Sequence, residues 1–81
     1  MKIAVVIWED RHCDTTVDAF VDTDEAVAWA KERAKEYCRY DEDLQEIEIT
    51  QAMKQDGWVY AVDYSCENDG LTVVEVELKE K

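Results

Sequence analysis

Only one stretch of this chain, from Asp22 to about residue 40, carries the apolar spacing of a long helix, while at least four others read as strands. A helix covers one face of a sheet and leaves the other to be accounted for. That second face is apolar here. In the first strand Ile3, Val5 and Ile7 point one way and Ala4, Val6 and Trp8 the other, so neither side is polar. The doubling recurs later, where period-two alternation puts Trp58, Tyr60, Val62 and Tyr64 together and Val59 and Ala61 opposite, with Asp63 at the wetter end. With 81 residues and one long helix there is no second layer to cover both faces. Three arrangements remain open. The rings cover one another beneath the bridging segment, a second copy packs on the face, or a different partner or ligand does. Trp8, Trp58, Tyr60 and Tyr64 are the residues expected to form that self-association or ligand face.

The elements follow from local pattern. Ile3 to Trp8 and Thr15 to Val21 flank the polar turn Asp10 to Asp14 and predict a hairpin. Asp22, three residues before Glu25, has capping-box spacing, and Asp24 and Glu25 put acid in the first turn, where the helix dipole favours it. Ala26, Val27, Ala30, Ala34, Tyr37 and Cys38 then share one face of a helix over about residues 23 to 39. Trp58 to Tyr64 and Leu71 to Leu78 predict a second hairpin around Glu67, Asn68, Asp69 and Gly70. Between them, Ile47 and Ile49 alternate with Glu46 and Glu48 as a short strand would, and Thr50 is placed to cap a helical turn that Gly57 ends. The expected fold class is α+β: one domain spanning 1–81, an antiparallel sheet of four or five strands, and one main helix on one face in the order β-β-α-(β)-β-β.

Charge narrows the function classes. Lys and Arg total 9 against 21 Asp and Glu, a formal net charge of -12. Such a surface repels DNA, RNA and anionic membranes, so direct nucleic-acid binding and membrane association are not expected. Apolar residues at 47% exclude a disordered acidic tail. The opening run ends at Trp8 and meets Glu9 and Asp10, without the length or cleavage site of a signal peptide, and no run approaches a membrane span. Three widely spaced cysteines fit a reducing compartment, so a cytoplasmic location is expected.

Three sets of residues carry candidate chemistry. Asp41, Glu42, Asp43, Glu46 and Glu48 cluster in the bridging segment, where no strong periodicity requires them. Carboxylates at phosphate-like intervals would mimic the DNA backbone and occupy the basic groove of a nucleic-acid-binding protein; solubility, or a salty cytoplasm, is the plainer account of the same charge. His12, Cys13, Cys38 and Cys66 have the ligand types of a zinc site, and the topology brings both turns and the helix end to one end of the sheet, but the spacing lacks the close cysteine pairs of zinc ribbons. Thiols on a helix's buried stripe or beside a turn are ordinary without metal. His12 also sits among Asp10, Arg11 and Asp14, as a general base would, with Ser65, Cys66 and Glu67 approaching from the other turn. No nucleophile or phosphate-loop motif surrounds them, and turn hydrogen bonding explains the same residues. No catalytic residue and no cofactor is therefore expected.

With these elements placed, Trp8-Glu9-Asp10-Arg11-His12, Phe20 before an acidic cap, Trp29-Ala30, Gly57-Trp58-Val59-Tyr60, and Tyr64-Ser65-Cys66-Glu67 with Asp69 resemble a set of small acidic proteins of actinobacteria and their phages. The resemblance spans most of the chain and brings no residue roles, because that set has no assigned activity. It implies an intracellular protein, in the host cytoplasm if phage-encoded, of a class that often binds host defence or transcription machinery. The expectation is a non-enzymatic binder of a basic host protein, forming a homodimer through the aromatic face. The alternatives are a zinc- or small-molecule-binding domain at the turn end and a homo-oligomeric structural accessory.

Overall fold

A computed structural model describes residues 1–65, 67 and 69–79. The fold is α+β, as expected: one five-stranded antiparallel sheet with one main helix. Strands β1 (Lys2–Asp10) and β2 (Cys13–Phe20) form the first hairpin, helix α1 (Thr23–Tyr37) follows, and β4 (Trp58–Asp63) and β5 (Gly70–Glu77) form the second hairpin. The bridging segment holds a 3-10 turn (Asp41–Asp43), a two-residue strand β3 (Gln45–Glu46) and a short helix α2 (Gln51–Gln55), so it contains both the strand and the helical turn that its sequence allows. The strand lies slightly earlier than Ile47 and Ile49 suggest, pairing Gln45 with Asp63 and Glu46 with Val62. The sheet order β2-β1-β5-β4-β3 places the first and last long strands side by side at its centre.

Helix α1 starts as its acids predict, although the cap is simpler than a box: the Asp22 carboxylate accepts from the Asp24 backbone N–H at 2.8 Å. It ends two residues early because Cys38 turns extended at φ -78 and ψ 124. There the Cys38 thiol donates to the Tyr40 carbonyl at 2.9 Å. Ala26, Ala30 and Ala34 are fully buried one above another, and these small side chains let the helix axis lie close to the sheet. Beneath them are Ala4 and Val6 of β1, Leu71 and Val73 of β5, and Val62 and Tyr64 at the end of β4.

The ladder also shows which face α1 leaves open. Val6 pairs with Val73, and Trp8 with Leu71, on the covered side. One residue away, Val5 pairs with Ala19 and Val74, and Ile7 with Val17 and Thr72, on the other. Trp58 belongs to that second set, which corrects the expectation that it shares a face with Tyr60 and Tyr64. A bulge at Val59 pairs Trp58 with Val74 but Tyr60 with Val73, so the inserted residue turns Trp58 to the open side. Gly57 makes the bulge feasible. Its φ is +92, a Cβ there would lie 2.7 Å from the Glu75 carbonyl oxygen, and its own carbonyl accepts from the Glu75 N–H at 2.8 Å. Among the described residues no helix is long and apolar enough to cross a membrane.

Candidate functional site

Because β1 and β5 are neighbours, the turn that follows β1 and the loop that precedes β5 emerge side by side, with Glu9 opposite Gly70. Their polar residues join into one network. The Trp8 indole N–H donates to the Tyr64 hydroxyl at 2.8 Å, and that hydroxyl donates in turn to the Asp10 carboxylate. The other Asp10 oxygen accepts from the His12 backbone N–H at 2.8 Å. Donation from Tyr64, then from His12, holds the Asp10 carboxyl below the usual carboxylate range. Tyr64, 3% exposed, is pushed above the normal phenol range by burial first and by its bond to Asp10 second.

A second carboxylate fastens the two loops from the other side. Asp69, 6% exposed, accepts from the Arg11 backbone N–H at 3.0 Å and from the Ser65 hydroxyl at 3.1 Å. The Ser65 oxygen accepts from the N–H groups of Glu67 and Asp69, and the Arg11 guanidinium bridges to Glu67. Among the described residues no buried side-chain polar atom lacks a partner. Gly70 is forced by the same crowding, since a Cβ there would lie 2.4 Å from the Val62 carbonyl oxygen and 2.5 Å from an Asp63 carboxylate oxygen.

Between these loops and the end of α1 lies an open cleft of about 500 Å³, lined among others by Arg11, His12, Cys13, Arg39 and Tyr40. The expected gathering of both turns and the helix end at one end of the sheet is therefore present. The zinc set is not assembled among the described residues: Cys13 is exposed, the Cys38 thiol is engaged by Tyr40, and no three His, Cys, Asp or Glu side chains converge. Cys66 lies outside the described residues. Asp10 is spent on Tyr64 and the His12 backbone, and the His12 imidazole has no hydrogen-bond partner among the described residues, so the acid that would orient it as a base is engaged elsewhere.

The acidic set occupies the β3 edge of the sheet. Asp41, Glu42 and Asp43 form the 3-10 turn, Glu46 is in β3 and Glu48 follows it; all are exposed except the half-buried Asp43, which also lines the cleft. None of the five takes part in an ion pair among the described residues. Glu46 stands beside the phenol of Tyr60, which burial and that carboxylate raise above its normal range, while the Lys31 ammonium lies 5.3 Å from the Tyr60 ring centre.

The four aromatic residues expected on a docking face are divided by the sheet. Trp8, Tyr60 and Tyr64 lie on the helix side, where Trp8 meets Tyr37 edge to face at 4.8 Å and Trp29 at 6.5 Å. The Arg33 guanidinium covers Trp29 at 4.8 Å and Trp8 at 5.7 Å, shielding the cluster from solvent. Trp58 alone faces the open side. Sequence reasoning missed the Trp8–Tyr64–Asp10 chain and the Arg11–Asp69 contact, which join residues more than fifty positions apart. Ser65 four residues before Asp69 was the one local signal, as a hydroxyl and a carboxylate suited to bonding within a turn. No family model, no characterised protein and no solved structure matches this chain.

Proposed function

We propose that the protein is a non-enzymatic interaction module of the cytoplasm, a phage product acting on its host, that docks on a basic protein through the edge formed by Asp41, Glu42, Asp43, Glu46 and Glu48. The observation that carries this reading is that five carboxylates within eight residues stand on one sheet edge with no cation paired to them among the described residues. Unneutralised acids close together repel one another in the free protein, and that repulsion is relieved when a cationic surface supplies counter-charge. A groove that binds nucleic acid has that chemistry, which makes the edge a mimic of a phosphate backbone. The test is affinity capture from a nuclease-treated actinobacterial lysate with the natural protein and a variant carrying Asp→Asn and Glu→Gln at the five positions. Basic proteins held by the first at low salt, released as salt rises, and absent from the second support the reading. An identical captured set and salt profile for both overturns it.

The cleft supports a second reading, a small-ligand site. Arg39 has no ion-pair partner among the described residues, and Tyr40 is 63% exposed beside it, so an aromatic carboxylate fits the pair. NMR titration with aromatic carboxylates should shift Arg39 and Tyr40 resonances in the natural protein and not in Arg39→Ala. Absence of shifts at about millimolar ligand removes this reading.

A further inference from the structure

We propose that the free edge of β2 takes up an added strand from a partner protein, an extended segment in which one arginine or lysine stands between two β-branched residues. In the sheet order β2 ends the row, with β1 as its one neighbour among the described residues. Two bonds fix which backbone groups it leaves open. The Leu78 N–H donates to the Met1 carbonyl and the Glu75 N–H to the Gly57 carbonyl, each at 2.8 Å, so Ile3, Val5 and Ile7 bond toward β5, and Ala4, Val6 and Trp8 toward β2. Their partners Phe20, Asp18 and Thr16 face β1 in turn, whereas Val17 and Ala19 aim both N–H and C=O away from the sheet. The ladder is regular over residues 16–20, its one irregularity lying at the turn end between Trp8 and Asp10. Large apolar side chains are exposed along the same edge: Val17 at 63% and Val21, just beyond the strand, at 76%.

Asp18 decides which strand can dock. It stands between the two outward-bonding residues, exposed and without an ion-pair partner among the described residues. For antiparallel pairing with a second copy to bond every open group of both edges, Val17 must meet Ala19 and Ala19 must meet Val17. That register sets Asp18 directly opposite its own copy in a non-hydrogen-bonded pair, where Cα atoms are about 4.5 Å apart. Like charges so placed oppose pairing, and the net charge of -12 on each copy adds to the repulsion. A guanidinium or ammonium in the same position is attracted instead. The residues on either side of that cation fall beside Val17 and Ala19, which continue the apolar rows of Ile7 and Val5, so β-branched side chains fit there. The acidic β3 edge lies at the other end of the sheet order, which makes this docking separate from the one proposed above.

The test is amide hydrogen exchange, followed by NMR on the full chain, with the capped peptide Thr-Thr-Val-Arg-Val-Thr-Thr and a counterpart carrying Glu in place of Arg. In the free protein the Val17 and Ala19 amides should exchange fast and those of Thr16, Asp18 and Phe20 slowly. At about 1 mM of the arginine peptide, exchange at Val17 and Ala19 should slow about fivefold or more. Val17→Pro, which removes a donor that β1 does not use, should abolish the slowing at Ala19, and Asp18→Asn should reduce it severalfold, each variant being checked for folding by circular dichroism. Neutralising the five bridge acids should leave the slowing in place. No slowing, equal slowing by the glutamate peptide, or slowing that persists in the folded variants overturns the proposal. So does a loss on neutralising the bridge acids as large as that in Asp18→Asn, which would put the peptide on the β3 edge. Protection of Val17 and Ala19 in the protein without peptide overturns it as well, since a second copy would then hold the edge.

Discussion

The two faces of β1 are made of nearly the same residues and meet different fates. Ala4 and Val6 are fully buried beneath α1, while Ile3, Val5 and Ile7, no less apolar, keep part of their surface in water. Burial here is decided by what stands opposite rather than by the side chain. The three stacked alanines of α1 bring the helix close to one face, and no comparable stripe exists for the other. Apolar character in a strand thus states a demand for cover, and only the tertiary arrangement says whether the same chain meets it.

The largest expected contrast lies within β5. Leu71→Ala, which empties a fully buried site on the covered face, should cost about 2–5 kcal/mol. Val74→Ala, on the open face of the same strand, should cost under about 1 kcal/mol at dilutions where the chain is monomeric. Chemical denaturation at low and high protein concentration checks both; a Val74→Ala cost that grows with concentration would mean that the open face is covered by association. A smaller effect is expected where covered face and turn end meet. Tyr64→Phe removes the hydroxyl that joins Trp8 to Asp10 and should cost about 1–3 kcal/mol in thermal or denaturant unfolding, because a partly buried carboxylate and an indole N–H lose their shared partner.

The smallest effect is on pH dependence, and it separates the same regions. Burial, then the nearby Asp69 charge, raises the carboxyl of Asp63 above its ordinary 3.8, so the folded state takes up its proton more readily than the unfolded chain and stability rises as pH falls toward 3.8. The lowered carboxyl of Asp10 acts in the opposite direction: its contribution is complete above 3.8 and is lost as pH drops below that value. Melting temperature followed from neutral to strongly acidic pH should therefore pass through a maximum on the weakly acidic side. Asp63→Asn should flatten the rise, and Asp10→Asn the fall.

Much of the fold was legible in the sequence because it rests on short-range periodicity. Alternation marked the long strands, the alanine spacing marked α1, Asp22 marked its start, and Thr50 with Gly57 marked the helical turn in the bridge. The bulge at Val59 was not legible, since it depends on Gly57 meeting the backbone of Glu75 across the sheet. Period-two reasoning therefore put Trp58 on the wrong side. At the turn end the convergence of the loops could be derived from strand direction, but the use of Asp10 could not. A carboxylate beside a histidine reads as its partner until Tyr64, from the other hairpin, is seen to hold it. The five acids of the bridge stood out in the sequence because no periodicity requires them there, and the structure shows four of them exposed and Asp43 half-buried.

The pairing of β1 with β5 at the middle of the sheet also governs how the chain is made. Translation delivers β1, β2 and α1 first, yet β1 lacks one of its two neighbours until β5 has left the ribosome. Until then the nascent chain exposes Ala4 and Val6 without Leu71 and Val73 beneath the helix, and the inner edge of β1 is an open template for other strands. Assembly of the core therefore waits for β5, slowed by the long loop that must close to bring the two strands together. The acidic side chains distributed along the waiting segments repel those of another nascent chain in that interval, which opposes strand pairing between chains.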